Sequence, residues 1–217
     1  MSQEPISPRI KVKRLADRSH YDRETIYAIL DEALICHVGL VREDGPVVIP
    51  TLFGRIDDTL YLHGSVASGN LRLMRAGTDV CITATIVDGI VFARSLFNSS
   101  MNYRSAVVFG TTRLVADPDE RNEGLRAMSD HVVPGRWDDA RHPNRVEHLQ
   151  TVVVAVDIEE ASAKIRSGGV GDVDQDLQLD VWAGVLPLRQ QPGDPEPDPD
   201  MKPGTPLPGY VTHWPTR

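Results

Sequence analysis

Short apolar runs rich in β-branched residues follow one another through the first third of the chain, with only a few polar residues between them. The runs are ALICHVGLV (33–41), PVVIPTLFGRI (46–56) and TLYLHG (59–64), separated by REDG and by Asp57-Asp58. Connections this short are typical of neighbouring antiparallel strands. The pattern therefore predicts an antiparallel meander.

The same pattern continues further along the chain. Residues 79–95 predict two strands joined by a tight turn at Asp88-Gly89, and residues 102–115 predict another strand. A β-branched run at 151–158 predicts the next, with the segment ASAKIRS as its candidate partner. We expect six or seven strands in all.

A few helices interrupt the strands. Residues 22–33 place apolar side chains at helical spacing, with Asp22 as the N-cap. A short helix is predicted at 68–76, and a longer one begins at Asp117-Pro118 and ends near His131. The sequence thus predicts a mainly β (α+β) fold, a closed antiparallel barrel with helices packed outside it.

Composition divides the chain and excludes some partners. We predict a flexible N-terminus over 1–19, a barrel domain over 20–188 and a Pro-rich acidic tail over 189–217. A net charge of −8 argues against a nucleic-acid partner. No apolar stretch approaches the ~20 residues of a membrane span, and the chain shows no secretory signal. We therefore expect a cytoplasmic protein with no membrane partner.

Cysteines and histidines show no spacing typical of metal ligands. Cys36 and Cys81 each lie within an apolar run and are interpreted as buried small hydrophobes. His37, in the middle of a predicted strand, is interpreted as structural. We predict no metal site from these residues or from the other histidines outside the turn discussed next, which are His20, His131, His142, His148 and His213.

The stretch YLHGSVASGN (61–70) is the clearest candidate for a site. A strand that ends in a Gly/Ser-rich turn and continues as a helix leaves backbone N–H groups free. Such groups bind phosphate in many proteins and form ordinary turns in others. The hydroxyls of Ser65 and Ser68 suit both an N-cap and phosphate oxygens. Arg72 and Arg75, one turn along, would either supply a cation or face solvent, and the residues alone leave both readings open.

Taken in order, the segments resemble the pyridoxamine-5′-phosphate-oxidase-related proteins, and among them the branch that includes the nitroimidazole-resistance (Nim) proteins. The resemblance covers about residues 20–188. It implies a split β-barrel and a homodimer with two flavin mononucleotide (FMN) sites in the clefts between the subunits. It rests on ILDEALICHVGLV, VVIPTLFGRIDDTLYLHGSVASGNL, ARSLFNSSMNYRSAVVFGTTRLV and VVVAVDIEEASAKIRSG.

The resemblance implies three groups of cofactor contacts. The first lies along the isoalloxazine ring, the second meets the ribityl chain and phosphate, and the third approaches from the next strand or from the partner subunit. The groups are Val48, Ile49, Pro50, Thr51 and Leu52; His63, Gly64, Ser65, Ser68, Gly69 and Asn70; and Asn102, Tyr103, Arg104 and Ser105.

Each of the more specific roles has a simpler alternative. His63 would act as the catalytic proton donor, or would only bond a nearby carbonyl. Pro50 belongs at a strand edge or at a bulge, where free backbone groups would contact the flavin or meet no ligand. Arg104 would offer a forked cation to a phosphate or to the electron-rich end of a reduced flavin, or would form a surface salt bridge. Trp182 would cover the flavin of the partner subunit or close one end of the barrel.

Two departures from the true oxidases bear on function. Those enzymes place a basic pair after the serine of the phosphate loop, where this chain has Gly69-Asn70. The chain also ends in YVTHWPTR instead of their substrate motif, which argues against pyridoxamine phosphate as the substrate. We expect an FMN-dependent oxidoreductase acting on a small aromatic or quinone-like substrate. The alternatives are a flavin carrier or sensor without turnover, and a barrel that holds a deazaflavin or heme.

Overall fold

Ten strands form one antiparallel sheet system within residues 4–215, the part of the chain that the computed structural model describes. The strands are β1 (Ser19–His20), β2 (Cys36–Arg42), β3 (Gly45–Thr51), β4 (Gly54–Ile56), β5 (Thr59–Ser65), β6 (Asp79–Phe92), β7 (Ser100–Leu114), β8 (Thr151–Asp157), β9 (Glu160–Arg166) and β10 (Gly184–Pro187). The helices are α1 (Arg23–Glu32), α2 (Gly69–Arg75), α3 (Pro118–Val132), α4 (Arg136–Asp139), α5 (Arg145–Gln150) and α6 (Gly209–Thr212).

Strand β7 connects the two halves of the barrel, because it pairs with three other strands. The strand order is β3-β2-β6-β7-β8-β5-β4, and β9 pairs with β7 off this path. Residues 103–109 of β7 pair with β9, and only residues 112–114 reach β8. Gly110 lies between these two parts, where a Cβ atom would come within 2.7 Å of Val156 Cγ1. This architecture confirms the predicted mainly β, antiparallel split barrel. The number of strands is ten instead of the expected six or seven, because the short strands β1 and β10 were not predicted and the run 46–56 forms two strands.

The core fills the barrel and is closed on one side by α1. Ile26, Ile29 and Leu30 of α1 are buried, and they contact the inward side chains of the strands. The helix begins as predicted, with the Asp22 carboxylate accepting a hydrogen bond of 2.8 Å from the Thr25 amide. Local signals therefore place this helix correctly.

Helix α3 packs against the outer face of β4 and β5 at unusually short range. A Cβ atom on Gly54 would lie 2.5 Å from the backbone nitrogen of Met128, and one on Gly124 would lie 2.7 Å from the Tyr61 ring. Because neither position has room for a side chain, the two glycines permit the close approach. A second buried cluster results, which includes Tyr61, Met128 and Val153.

The predicted turn at Asp88-Gly89 is wrong. Strand β6 runs without reversal from Asp79 to Phe92, and a bulge lies between Val87 and Gly89. Both parts of β6 pair with the same partner strand, β7, so the extra residue is accommodated by a bulge instead of a turn. Strand β10 then pairs with the second part.

Two other predictions about strands need correction. The segment 160–166 pairs with β7 and β1, and not with β8 as expected, because β8 lies between β5 and β7. The run 46–56 is not one strand but β3 and β4, and it breaks where the Phe53 side chain turns into the core with no exposed surface. The connection after α3 contains the short helix α4.

Both terminal segments contact the barrel domain. Ile10 is buried, and the guanidinium of Arg9 lies 4.3 Å from the centre of the Phe109 ring. Near the other end, Trp214 Nε1 donates a 2.8 Å hydrogen bond to the Val132 carbonyl, and Arg136 Nη1 donates one of 2.9 Å to the Tyr210 hydroxyl. The predicted division into 1–19, 20–188 and 189–217 stays a prediction.

Candidate functional site

The turn between β5 and α2 forms the candidate site, and both of its serines bond the backbone. Ser65 Oγ accepts a 3.2 Å hydrogen bond from the Ala67 amide, and Ser68 Oγ accepts one of 3.4 Å from the Leu71 amide as the N-cap of α2. The N-cap interpretation of Ser68 is therefore confirmed. Each hydroxyl keeps its own proton available to donate to a ligand oxygen.

Asn70 carries an unsatisfied polar atom in the same turn. Its Oδ1 is buried and has no hydrogen-bond partner among the described residues. An unpaired buried acceptor is costly, and the hydroxyls of a ribityl chain are donors that would satisfy it. Gly69 leaves open space at this point, since a Cβ atom there would meet only Arg72 Nη2 at 3.9 Å. The turn therefore fits a polyhydroxyl chain ending in an anion.

The His63 side chain lies on the outer side of β5, beneath α3. Its Nδ1 is 3.3 Å from the Sδ of Met128, and burial lowers the pKa of the imidazole below its usual value. The sequence predicted a catalytic residue at the mouth of the site. The structure places the ring against a helix, with a thioether as its neighbour.

Strand β3 lies at the edge of the sheet, as Pro50 predicted. It pairs only with β2 among the described strands, so its other backbone edge is free of strand partners. Its residues alternate: Val48 and Pro50 are exposed on one face, while Val47 and Ile49 are half-buried and face the core. Thr51 Oγ1 donates a 3.2 Å hydrogen bond to the Leu52 carbonyl.

His37 does not have the structural role that the sequence suggested. It is exposed on the outer face of β2, between Pro50 of β3 and Thr83 of β6 in register. No hydrogen bond or ion pair to its ring occurs within residues 4–215. Its neighbours Cys36 and Val38 are fully buried, and this alternation along the strand was the signal that sequence reasoning missed.

Arg104 is held by two carboxylates. Its guanidinium donates hydrogen bonds to both carboxylate oxygens of Glu32, one of them 2.7 Å from Nη2 to Oε1. Its Nη2 also donates a 2.6 Å hydrogen bond to Oδ1 of Asp88. Hydrogen bonds to Glu32 and then to Asp88 raise the pKa of Arg104. The group lines a cavity of about 790 Å³, together with the last residue of β10 and the three residues that follow it, 187–190. Two carboxylates carry more negative charge than one guanidinium carries positive charge. This geometry therefore does not support the expectation that Arg104 binds a phosphate.

The neighbours of Arg104 are also engaged within the chain. Asn102 accepts a hydrogen bond from Arg166 and donates one of 3.0 Å to the Gly168 carbonyl. Ser105 Oγ donates to the Lys164 carbonyl at 3.4 Å. Tyr103 is half-buried and lies opposite Val87 and Arg166 in register, on the outer face.

One chain does not bring the three groups of predicted contacts together. The β5–α2 turn adjoins the end of β7, since β5 pairs with β8 and β8 meets β7 only at residues 112–114. Residues 102–105 lie at the other end of β7, roughly 23 Å away for seven residues of extended strand. Trp182 lies beside Phe92 of β6, with its ring edge-on to the Phe92 ring and 5.8 Å between the ring centres. The residue is 70% exposed.

An antiparallel barrel divided at β7, with a Ser/Gly-rich turn that opens a helix, defines the split-barrel class of proteins. A sequence profile described as pyridoxamine 5′-phosphate oxidase matches residues 22–165. The chain belongs to this family. No curated protein matches the chain.

Three solved structures illustrate the likeness. The flavocytochrome Anf3 from Azotobacter vinelandii is 38% identical with a TM-score of 0.90, over 97% of this chain and 98% of that one. The FAD and heme binding protein from Mycobacterium smegmatis is 40% identical with a TM-score of 0.85, over 90% of this chain and 96% of that one. A protein from Bacteroides thetaiotaomicron, described as a 5-nitroimidazole antibiotic resistance protein, is 26% identical with a TM-score of 0.57, over 68% of this chain and 86% of that one.

Two features are absent from residues 4–215. No helix there combines the length and the apolar character needed to cross a bilayer. No group of three or more His, Cys, Asp or Glu side chains in that range is arranged to hold a metal ion.

Proposed function

We propose that the protein is a homodimeric redox protein that binds a flavin nucleotide, through its FMN moiety, in the seam between two copies. The observation that carries this proposal is the separation of the predicted contacts along β7. The β5–α2 turn and Tyr103, near the other end of β7, lie too far apart to contact one bound flavin within a single chain. A second copy supplies the missing half, and family membership supports the flavin.

Each group of residues has a distinct role in this proposal. Residues 48–52 hold the isoalloxazine ring with the free edge of β3. The turn 63–70 holds the ribityl chain and the phosphate, through Ser65, Ser68 and the orphaned Asn70 amide. Tyr103 and Trp182 come from the second copy, where their exposed or half-exposed rings cover the flavin.

A bound flavin supplies the hydride or electron transfer, and the chain binds and orients the reactants. The substrate class we propose is a small aromatic or quinone-like molecule, which stacks on the flavin between the two subunits. We place the protein in the cytoplasm, where Cys36 and Cys81 remain reduced, as both are free thiols in the structure.

Heme is a second candidate cofactor, because two relatives at 38% and 40% identity are named for it. A residue of this chain that fits is His37, an exposed imidazole with no partner in the described part of the chain. A neutral imidazole is a common axial ligand of heme iron. The Nδ1 of His63 is less suited, since Met128 Sδ already lies 3.3 Å away.

An absorbance spectrum of the purified protein tests these proposals. We expect the bands of oxidised flavin, bleaching under NADH or NADPH, and a dimer by sedimentation. A Soret band that disappears in His37→Ala and returns with added imidazole would support heme on this residue. Flavin bands that do not bleach would favour a carrier or sensor. Absence of flavin from the protein even after incubation with FMN or FAD, or a flavin-loaded monomer, would refute the main proposal.

A further inference from the structure

A cavity of about 700 Å³ lies between the C-terminal end of α3, helix α4 and the Pro-rich segment that follows β10. Its wall includes Val133 after α3, Arg136 and Asp139 of α4, and residues of the Pro-rich segment between 195 and 211. The volume is within the range of several hundred Å³ that is typical of small-molecule sites. None of the residues proposed to hold the flavin lines this cavity, so it is a candidate site for a second ligand.

Side-chain hydrogen bonds hold the Pro-rich segment against the two helices. Trp214 Nε1 donates a 2.8 Å hydrogen bond to the Val132 carbonyl at the end of α3. The Tyr210 hydroxyl accepts one of 2.9 Å from Arg136 Nη1 and donates one to the Asp139 carboxylate. Because prolines fix their own φ angles, the segment also loses less conformational entropy when it is ordered. The wall of the cavity is therefore formed before any ligand binds.

Apolar side chains form most of the wall, and several of them are prolines. The prolines are Pro195, Pro197, Pro206 and Pro208. Proline has no backbone N–H, so these positions offer carbonyl acceptors to a ligand and no backbone donors. Met201 and Leu207 also line the cavity, and they are 45% and 55% exposed. Large apolar side chains that remain exposed around a cavity are suited to an apolar ligand.

The charged groups that line the cavity are three carboxylates and one guanidinium. The guanidinium of Arg136 is paired with Asp139, at 3.4 Å between Nη1 and Oδ2. Glu196 and Asp198 have no cationic partner within the described residues, and Lys202, the nearest lysine in the sequence, does not line the cavity. The surplus of negative charge repels an anion and favours a cation.

We infer that this cavity binds a hydrophobic organic cation, at a site separate from the flavin. The apolar wall takes up the body of such a molecule, and Glu196 and Asp198 supply the negative charge that its positive charge requires. The Tyr210 ring, whose hydroxyl is fixed by Arg136 and Asp139, adds an aromatic surface, to which cations are attracted. A ligand that carries phosphate belongs to the opposite class, because it would bring negative charge to two carboxylates that have no cationic partner.

Two ions of the same shape and opposite charge test the inference on the full chain as it is purified. They are tetraphenylphosphonium and tetraphenylborate, and calorimetric titration gives the affinity of the protein for each. We expect tetraphenylphosphonium to bind roughly tenfold more tightly than tetraphenylborate, because the cavity attracts one charge and repels the other. The bound flavin, followed by its absorbance, should stay in place during both titrations.

Two matched pairs of variants at exposed positions locate the binding site. Glu196→Gln removes a carboxylate from the wall, and Glu43→Gln removes one from the turn between β2 and β3 with the same change in net charge. Leu207→Ala shortens an apolar side chain of the wall, and Leu177→Ala shortens one of similar exposure, 52%, outside the cavity. Glu196→Gln should weaken the cation about fivefold without weakening the anion, and Leu207→Ala should weaken both ions about threefold. Glu43→Gln and Leu177→Ala should leave both affinities at the wild-type value.

Four outcomes would overturn the inference. Equal affinity for the two ions would show that the charge of the cavity does not select its ligand. A cation affinity that changes in neither Glu196→Gln nor Leu207→Ala would place the ion elsewhere on the surface, and release of flavin by the cation would place it at the flavin site. Failure to bind either ion would exclude the cavity as a site for this class of ligand. The flavin content of the protein tests the proposed function separately, so the two can fail independently.

Discussion

The Nδ1 atom of His63 lies 3.3 Å from the Sδ atom of Met128, and this contact joins strand β5 to helix α3. Met128 is 4% exposed and belongs to the cluster that fills the space between the helix and the strand. A thioether is only a weak hydrogen-bond acceptor. On folding, the imidazole therefore exchanges hydrogen bonds with water for a weaker contact. The histidine next to the candidate site is therefore more easily kept neutral than charged.

This environment predicts a pH dependence of stability. Burial lowers the folded-state pKa of His63, so the unfolded chain takes up a proton first as the pH falls through about 6.5. The free energy of unfolding should therefore decrease below that pH more steeply in the wild type than in His63→Gln. Urea unfolding of the flavin-free protein between pH 5 and 8 measures the difference. Met128→Leu keeps the burial and should keep the wild-type slope, whereas parallel curves for wild type and His63→Gln would contradict the explanation.

A side chain at Gly54 should separate α3 from the barrel. The Cβ atom of an alanine would lie 2.5 Å from the backbone of Met128, which is not a flexible group. We expect Gly54→Ala to cost about 1–3 kcal/mol, as overpacking does elsewhere, and to lower the melting temperature by roughly 2–4 °C per kcal/mol. Gly193→Ala is the control, since nothing lies within 4 Å of its Cβ position. An unchanged melting temperature for Gly54→Ala would show that the helix is less closely packed.

Arg104 is expected to stabilise the fold and not to bind the cofactor. Arg104→Gln removes the cation shared by Glu32 and Asp88, whose side chains are 33% and 34% exposed. Because solvent screens such partly exposed pairs, we expect a loss of about 1–2 kcal/mol that shrinks in high salt. Arg42→Gln, which removes an exposed pair with Asp44, should change stability by less than about 0.5 kcal/mol.

Flavin content separates this structural role from the one suggested by the sequence. If Arg104→Gln folds normally but loses its flavin, the guanidinium contacts the cofactor after all. Retention of flavin with reduced stability would support the structural role.

Local signals in the sequence were sufficient for most of the helices and strands. Asp22 predicted the start of α1, and Asp117-Pro118 predicted the start of α3, because N-caps act within one turn of the chain. Pro50 predicted a strand edge or a bulge, since a missing backbone donor excludes a central position, and β3 is an edge strand. These predictions depend only on neighbouring residues.

The errors arose where distant parts of the chain decide the structure. Asp88-Gly89 has the composition of a turn, yet it forms a bulge because both flanking runs pair with β7. Arg104 is a residue type typical of anion sites, yet its guanidinium donates a hydrogen bond to Glu32, which is 72 residues away in the sequence. A single sequence does not show such pairings. His37 is different, because the alternation of buried and exposed residues along its strand was available from the start.

Asn70 offers the most direct test of the turn as a cofactor site. Its buried Oδ1 has no partner in the described structure, so removing it from the flavin-free protein should cost little stability or even raise it. If a ribityl hydroxyl bonds this atom, Asn70→Ala should instead weaken flavin binding by about tenfold, and Ser68→Ala with Asn70→Ala should weaken it further. Thermal unfolding without flavin and fluorescence titration with FMN give the two quantities. A double variant that retains flavin at wild-type affinity would exclude the turn as the binding site, while loss of affinity accompanied by an equal loss of stability would mean that Asn70 shapes the turn without touching the ligand.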